Sequence, residues 1–292
     1  MRKRLYFLMA VCIGVMSVTG CEKKDEAPPL EKEGYVLDWH DEFDGTELDS
    51  SKWLDMSLPH RSECPEEAAK AKYYMKDGVL TLYIDEDTKC VYDGGDTGLR
   101  VSGIQTYEKN GLHIGETVTE VEPFNGYITK YGYFETRVKM PSCGGGGHVA
   151  WWMVGAEKDT GPDGEGSEQE CEIDIFETLF SGTNTGWPKV HPWNDPNMFD
   201  WEGPTALDEN EDYQNEWHTY AMDWTPDELI FYIDDVEIAR TNQSPQYEMC
   251  MLFSMYTSDD ESFWSGGADN GVYPKEFQID YVRVYKPLAG YN

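Results

Sequence analysis

One eight-residue segment near the middle of the chain combines four carboxylates with a strand-like pattern that is interrupted once. The segment ECEIDIFE alternates polar and apolar residues through its first six positions, as a β-strand buried on one face does. Ile175 and Phe176 then follow each other directly, so a regular strand would turn Glu177 to the opposite face. A one-residue β-bulge at Ile175 or Phe176 would return Glu172, Asp174 and Glu177 to a single face. The segment therefore predicts a sheet that carries a row of three acids.

The rest of the chain is also predicted to form strands separated by turns. Alternating patterns mark strands at 78–84, 131–141 and 277–285, and a hairpin at 229–238 that turns at Asp234-Asp235. Long amphipathic helical patterns are missing from the sequence, and residues 66–75 come nearest to one. Many strands with one polar face predict an all-β fold, a jelly-roll β-sandwich of two antiparallel sheets.

The N-terminus has the pattern of an export signal. A basic start is followed by an uncharged apolar run at 5–18 and by small residues before Cys21. This pattern is typical of a lipoprotein signal peptide at 1–20 with a lipid on Cys21, whereas a transmembrane anchor would need a longer run. Residues 21–34 are expected to be a flexible tether, 35–287 the domain and 288–292 a tail. We therefore expect a lipoprotein of the bacterial outer membrane or cell surface, bound to the membrane through Cys21.

The charge of the chain limits its partners. Its formal net charge is −33 at neutral pH, a field that repels polyanions. Nucleic acid is therefore excluded as an expected partner, and a neutral substrate is favoured over a sulfated or uronic one. We expect a monomer.

The cysteines give a weaker signal. Seven cysteines, less Cys12 in the signal and Cys21 at the lipid position, leave an odd number in an oxidising compartment. At least one of them is then free or pairs outside the chain. Cys64 and Cys90 are candidates for a bridge, Cys171 is expected in the core, and no spacing resembles a zinc site.

The acid row suits hydrolysis of glycosidic bonds, which needs two carboxyl groups with separated pKa values. Glu172 and Glu177 at the ends of the row, with Asp174 between them, meet that need. The alternative is an exposed strand face on which acids crowd by chance, and composition alone leaves the two interpretations even. The loop at 182–214, which contains His191 and Trp193, is either a surface loop or a cleft wall where indoles stack on sugars.

The run EIDIFE at 172–177 resembles the catalytic signature of glycoside hydrolase family 16, in its bulged, laminarinase-like form. Four further parts of the chain resemble strands of that family in the same order: 39–45 with 51–53, 131–141, 217–226 and 280–285. The resemblance covers nearly the whole domain. It implies a jelly roll with a carbohydrate cleft on its concave face.

The resemblance also implies an activity and a set of site residues. A retaining endo-β-glycanase would cut internal β-1,3 or β-1,3/1,4 linkages of a neutral polysaccharide, with Glu172 as nucleophile, Asp174 as electrostatic helper and Glu177 as acid/base. No catalytic cofactor is expected. The expected substrate-binding residues are Trp152, His148, His191, Trp193, His218 and Arg137. A structural calcium ion would be held by Glu42, the Gly78 carbonyl and Asp280, whose oxygens suit a hard cation.

Two departures from the family pattern leave the sugar open. Family glucanases commonly carry a Trp at the place of His148, and the segment 251–256 lacks an Asn that is usual in laminarinases. An agarase-like or endo-β-galactanase activity, or action on host glycans, is the alternative within the family. A glycan-binding protein without turnover is a further alternative, but such a module has no need of all three acids.

Overall fold

The computed structural model describes residues 27–63, 68–91, 98–110, 112–113, 117–141, 143–156, 171–181, 188–204, 212–260 and 267–291. The expected signal peptide, Cys21 and Cys64 lie outside these ranges. The strands within them are β1 (Tyr35–Asp41), β2 (Tyr73–Lys76), β3 (Val79–Ile84), β4 (Arg100–Gln105), β5 (Tyr107–Glu108), β6 (Phe124–Asn125), β7 (Gly132–Lys139), β8 (His148–Gly155), β9 (Glu172–Leu179), β10 (Lys189–His191), β11 (Trp201–Glu202), β12 (His218–Trp224), β13 (Leu229–Ile233), β14 (Val236–Thr241), β15 (Met249–Thr257) and β16 (Lys275–Pro287). A 3₁₀ turn spans Pro59–Arg61. Among these ranges, no helix has the length and apolar character needed to cross a membrane.

Two antiparallel sheets make up the fold, as predicted. The larger, eight-stranded sheet has the order β14-β13-β12-β7-β16-β3-β2, with β1 also paired to β16. The six-stranded sheet has the order β11-β10-β9-β8-β15-β4. A short pair, β5 and β6, lies outside both sheets.

The predicted strands and hairpin are present. The strand predicted at 78–84 is β3, and those predicted at 131–141 and 277–285 are β7 and β16. The hairpin β13–β14 turns at Asp234 and Asp235, whose φ angles of 49° and 62° lie in the left-handed region. A pair of left-handed residues gives a two-residue turn whose twist matches that of the flanking strands.

Aromatic side chains fill the space between the two sheets. Trp151 of β8 stacks on Phe253 of β15 with ring centroids 5.5 Å apart. Phe176 of β9 packs on Tyr220 of the opposite sheet at 4.6 Å. Full burial of such a side chain contributes about 1.5–3 kcal/mol, so these rings hold the acid-bearing strand firmly against the other sheet.

The segment that was expected to be a tether lies partly against the domain. Buried Arg283 donates from Nη1 to the Pro28 and Pro29 carbonyls, at 2.8 and 3.3 Å. Lys32 reaches Glu135 at 3.3 Å, and the Gly34 carbonyl accepts from the Leu288 amide at 2.9 Å. Charged, proline-containing composition predicted flexibility here, but hydrogen bonds from the folded domain fix the last part of this segment.

The cysteines in the described ranges carry free thiols. They are Cys90, Cys143, Cys171 and Cys250. Cys171 is buried in the core beside the acid row, as predicted. Because Cys90 carries a free thiol, the candidate bridge from Cys90 to Cys64 is not formed in the structure, and Cys64 itself lies outside the described residues.

Candidate active site

The predicted bulge is present on β9. Trp152 of β8 pairs with Asp174, and Trp151 pairs with Phe176, so Ile175 is the additional residue. Ile173, Ile175 and Phe176 all belong to the core, while the three acids face the other way. The bulge therefore places Glu172, Asp174 and Glu177 in one row on the outer face of the six-stranded sheet.

The acid row forms the floor of a cavity of about 600 Å³. One wall comes from the 3₁₀ turn and the start of β4, and the other from β10, β11 and the loop between them. Its lining residues are Ser57, Leu58, Arg61, Val91, Leu99, Val101, His113, His148, Ala150, Trp152, Glu172, Asp174, Glu177, Lys189, His191, Trp193, Glu202 and Tyr256. Four of the six expected substrate-binding residues, Trp152, His148, His191 and Trp193, are therefore at the cavity.

Glu172 is surrounded by nitrogen atoms. The indole Nε1 of Trp193 donates to Oε2 of Glu172 at 3.2 Å, and Nε2 of His113 lies 3.1 Å from the same oxygen. Nε2 of His191 lies 3.8 Å from Oε1. The carboxylate is thus buried and yet fixed by polar groups on one side.

Burial raises the pKa values of Glu172 and Asp174. Desolvation raises the pKa of Glu172, although the hydrogen bond from Trp193 opposes the shift. Burial also raises the pKa of Asp174 well above its ordinary value, and the charges of Glu172 and Glu177 add to this. Two adjacent buried carboxyls cannot both ionise easily, so the pair shares a proton. The Trp193 donor favours the ionised form of Glu172, and the charges of Glu172 and Glu177 disfavour the ionised form of Asp174, so Asp174 is the favoured holder of that proton.

Glu177 lies in a different environment at the other end of the row. Burial raises its pKa to about 7, while the charge of Lys189 lowers it and that of Glu202 raises it. Nε2 of His148 is 3.8 Å from Oε1 of Glu177, and burial lowers the pKa of His148 to about 3. The imidazole is therefore neutral and leaves Glu177 free to carry a proton near neutral pH.

Three of these side chains form a group that could hold a metal ion. The ligand atoms of Glu172, Asp174 and His191 lie within 4.8 Å of one another. Two of the three are the expected catalytic acids, and hydrolysis by a carboxyl pair requires no metal.

His218 and Arg137, which were expected in the cleft, lie in the other sheet. His218 opens β12, and its Nδ1 is 2.6 Å from Oδ2 of Asp234. Arg137 of β7 pairs with Asp280 at 2.8 Å, with its guanidinium 5.0 Å from the Trp217 ring centroid. Neither lines the cavity, so this part of the prediction is wrong. Both strands belong to the eight-stranded sheet, on the far side of the core from the acids.

The expected calcium ligands do not fit a calcium site. Arg283 donates to both carboxylate oxygens of Glu42, from Nε at 2.9 Å and from Nη2 at 2.7 Å. Arg137 holds Oδ2 of Asp280 at 2.8 Å. Two guanidinium groups thus already neutralise the carboxylates that, with the Gly78 carbonyl, were expected to bind the cation.

Sequence reasoning missed His113, Lys189 and Tyr256. Lys189 faces Asp174 across the β9–β10 pair, and Tyr256 stacks on His148 at 4.7 Å. A strand assignment at 189–191 would have placed Lys189 beside the acids. His113 lies in a loop and had no motif or period that could have pointed to it.

The family model for "Glycosyl hydrolases family 16" matches residues 71–283, well over half of the chain. The chain belongs to this family of retaining, endo-acting glycoside hydrolases, as the acid row and its flanking strands predicted.

The chain is similar to several characterised proteins of this kind. The solved GlcNAcα1-4Gal releasing endo-β-galactosidase from Clostridium perfringens is 42% identical with a TM-score of 0.81, over 91% of this chain and 66% of that one. The beta-glucanase from Rhodothermus marinus is 26% identical over 98% of this chain and 95% of its own length. The glucan endo-1,3-beta-glucosidase A1 from Niallia circulans is 24% identical over 87% of this chain, which spans only 38% of that protein.

Proposed function

We propose that this protein is a retaining endo-β-galactosidase that cleaves internal β-galactosyl linkages of a neutral glycan. The observation that carries the proposal is the 42% identity to the Clostridium endo-β-galactosidase, against 24–26% for the two glucanases. The proposal replaces the β-glucan substrate expected from the laminarinase-like motif with the galactan or host-glycan alternative.

The cavity supports a substrate other than the usual β-glucan. His148 stands where family glucanases commonly have a Trp, and it is buried, neutral and stacked on Tyr256. A small polar ring leaves more room beside Glu177 than an indole would. The net charge of −33 supports a neutral glycan, because an anionic polymer would be repelled.

The proposed mechanism is a double displacement. Glu172 attacks the anomeric carbon, the bond from that carbon to the leaving oxygen breaks, and Glu177 gives its proton to that oxygen. Water then attacks the glycosyl ester and gives a proton to Glu177, and Glu172 leaves as a carboxylate. Asp174 keeps its own proton throughout and donates a hydrogen bond to Glu172, which stabilises the nucleophile in its ionised form.

The proposed location follows from the N-terminal pattern. We propose that residues 1–20 are removed, that Cys21 is lipidated and that the enzyme acts at the cell surface as a monomer. Metabolic labelling with a fatty-acid probe tests this, because a Cys21→Ala variant should lose the label and a retained label would contradict it.

The experiment that tests the activity is a substrate panel. It comprises oligosaccharides in which GlcNAc is α1-4-linked to a β-galactosyl residue, a neutral β-galactan, agarose, laminarin and barley β-glucan. We expect disaccharide or longer products from galactosides, little from glucans, and none with Glu172→Gln. Release from laminarin or barley β-glucan alone would favour the second candidate, a β-glucanase like the Rhodothermus relative.

The same panel, used with the native protein, also separates an enzyme from a binding protein. If the native protein bound these glycans but released no oligosaccharide from any of them, the enzymatic proposal would fail.

A further inference from the structure

His113 contacts the same oxygen of Glu172 as the Trp193 indole. Its Nε2 lies 3.1 Å from Oε2, and the Trp193 Nε1 lies 3.2 Å from that atom. An indole N–H can only donate, and an ionised carboxylate can only accept. Both short contacts therefore require Oε2 to be an acceptor, with the proton of the imidazole on Nε2.

The two donors orient the carboxylate. Oε2 is held on the side of His113 and Trp193, whereas Oε1 lies 3.8 Å from the nearest His191 nitrogen, beyond hydrogen-bonding distance. Asp174 adds a further hydrogen bond to this carboxylate. A carboxylate whose Oε2 is held by two fixed rings can attack an anomeric carbon without first reorienting.

His113 is built into the cavity wall more firmly than Trp193. It is only 6% exposed, and its ring meets Trp152 and Trp193 edge-on at 5.2 and 5.8 Å. Trp193 is 45% exposed at the mouth of the cavity, where a sugar can contact it. A buried ring between two indoles has little freedom, so its donor stays in place as substrate enters.

We infer that His113 is a positioning residue for the nucleophile, holding Glu172 through Oε2 so that Oε1 attacks. The inference deepens the proposed function, since it rests on Glu172 as the nucleophile. It does not depend on which sugar is bound. It predicts that loss of the Nε2 donor slows attack by Glu172 whatever the leaving group is.

The test uses the glycan that the wild-type enzyme cleaves in the panel and the 2,4-dinitrophenyl glycoside of the same sugar. Dinitrophenolate leaves without a proton, so the first step of that substrate, followed as the burst of dinitrophenolate, bypasses Glu177, whereas hydrolysis of the glycosyl-enzyme still needs it as a base. His113→Phe keeps the ring shape but removes the donor, and His113→Gln returns an amide N–H near the position of Nε2. Glu177→Gln is the matched control for the acid step, and thermal unfolding shows that each variant folds.

We expect His113→Phe to lower kcat on the natural glycan and the burst rate on the dinitrophenyl glycoside about 10- to 100-fold, with little change in KM, as misplacement by about 1 Å does. His113→Gln should recover most of the loss, and Glu177→Gln should show a burst of dinitrophenolate at about the wild-type rate although its kcat is low on both substrates. A wild-type kcat for His113→Phe, a loss confined to the natural glycan, or no recovery in His113→Gln would overturn the inference. If His113→Phe does not fold, His113→Asn, whose amide ends short of Oε2, takes its place with the same expectations.

The nucleophile assignment is checked separately. Glu172→Gln should be inactive on both substrates. Activity of that variant would show that the proposed role of Glu172 had failed, whatever the result at His113.

Discussion

Trp152 and Asp174 are cross-strand partners at the point where the register between β8 and β9 shifts by one residue. The next pair along the strands is Trp151 and Phe176, so Ile175 has no counterpart on β8. Asp174 and Glu177 lie on the same face only because Ile175 is unpaired in the bulge and does not advance the alternation of the strand. The position of the acid row thus depends on a local irregularity that the core stabilises on its other side.

Deletion of Ile175 should therefore leave an active enzyme. The remaining strand has a regular alternation, the pairs Trp152–Asp174 and Trp151–Phe176 stay in register, and all three acids stay on the cavity face. Loss of the extra twist should move Glu177 slightly, which lowers kcat/KM about 10- to 100-fold. Turnover of the panel substrate and circular dichroism are the measurements.

Deletion of Ile173 is the matched control. It removes another buried isoleucine of β9, but Glu172 and Asp174 become neighbours in sequence and must face opposite sides. Activity should fall to background. A folded Ile175 deletion without activity, or an active Ile173 deletion, would contradict the assignment of Ile175 as the extra residue.

The pH profile of kcat/KM falls on its alkaline side, and this fall should shift in opposite directions when the charge of Lys189 or that of Glu202 is removed. Glu177 must be protonated to donate, and burial raises its pKa to about 7, so kcat/KM should fall as the pH rises through about 7. Lys189 lowers this pKa and Glu202 raises it. Lys189→Met should therefore shift the fall to higher pH, and Glu202→Gln to lower pH. Profiles at constant ionic strength that shift the same way would exclude Glu177 as the acid.

Chelation should not change the stability of the domain. Glu42 and Asp280 are bound by arginines, so EDTA and added calcium should leave the Tm unchanged. Glu42→Gln should lower the free energy of unfolding by about 2 kcal/mol, less than the ~3–5 kcal/mol for breaking a fully buried pair, because the Glu42 side chain is 21% exposed. A chelator-dependent Tm would show that the cation displaces Arg283.

The exposed pair between Arg240 and Glu237 provides the control for that variant. These side chains lie 2.8 Å apart on the surface. Glu237→Gln should leave the free energy of unfolding unchanged within the error of a urea titration, because solvent screens an exposed pair.

Two histidines should separate stability from catalysis. His218 lies in the eight-stranded sheet and holds Asp234, so His218→Gln should lower the Tm and leave kcat/KM within about twofold. His191 lies beside Glu172 and Asp174, so His191→Gln should lower kcat/KM. An unchanged Tm together with a large rise in KM for His218→Gln would return that residue to the substrate cleft.

The fold class and the acid row could be predicted from the sequence, because both depend on alternation along single strands. The two successive apolar residues Ile175 and Phe176 interrupt the alternation within one strand, so the bulge could be predicted from neighbouring residues. Alternation also places Arg137 on the face of β7 opposite Phe134 and Val138, which belong to the core. It could not show which of the two outer faces Arg137 lies on, because that depends on pairing with β12 and β16, far away in sequence.

The contacts of the nucleophile were beyond sequence reasoning for a similar reason. His113 lies in a loop after β5, and its contact with Glu172 joins residues that are distant in the chain. The calcium prediction failed at Glu42 because its bidentate arginine partner comes from β16. A carboxylate in a sequence does not show whether its counter-charge is a metal or a guanidinium.

The role of Glu172 as nucleophile and the galactoside substrate are tested most directly by trapping the glycosyl-enzyme. The reagent is a 2-deoxy-2-fluoro-β-galactoside that carries a dinitrophenyl leaving group. The fluorine slows both steps and the good leaving group restores the first, so the covalent ester accumulates. Peptide mass spectrometry should find the added fluorosugar on Glu172, and none should form with Glu172→Gln. A label on Glu177 would contradict the assignment of Glu172 as nucleophile. Trapping by the corresponding glucoside but not by the galactoside would contradict the proposed substrate.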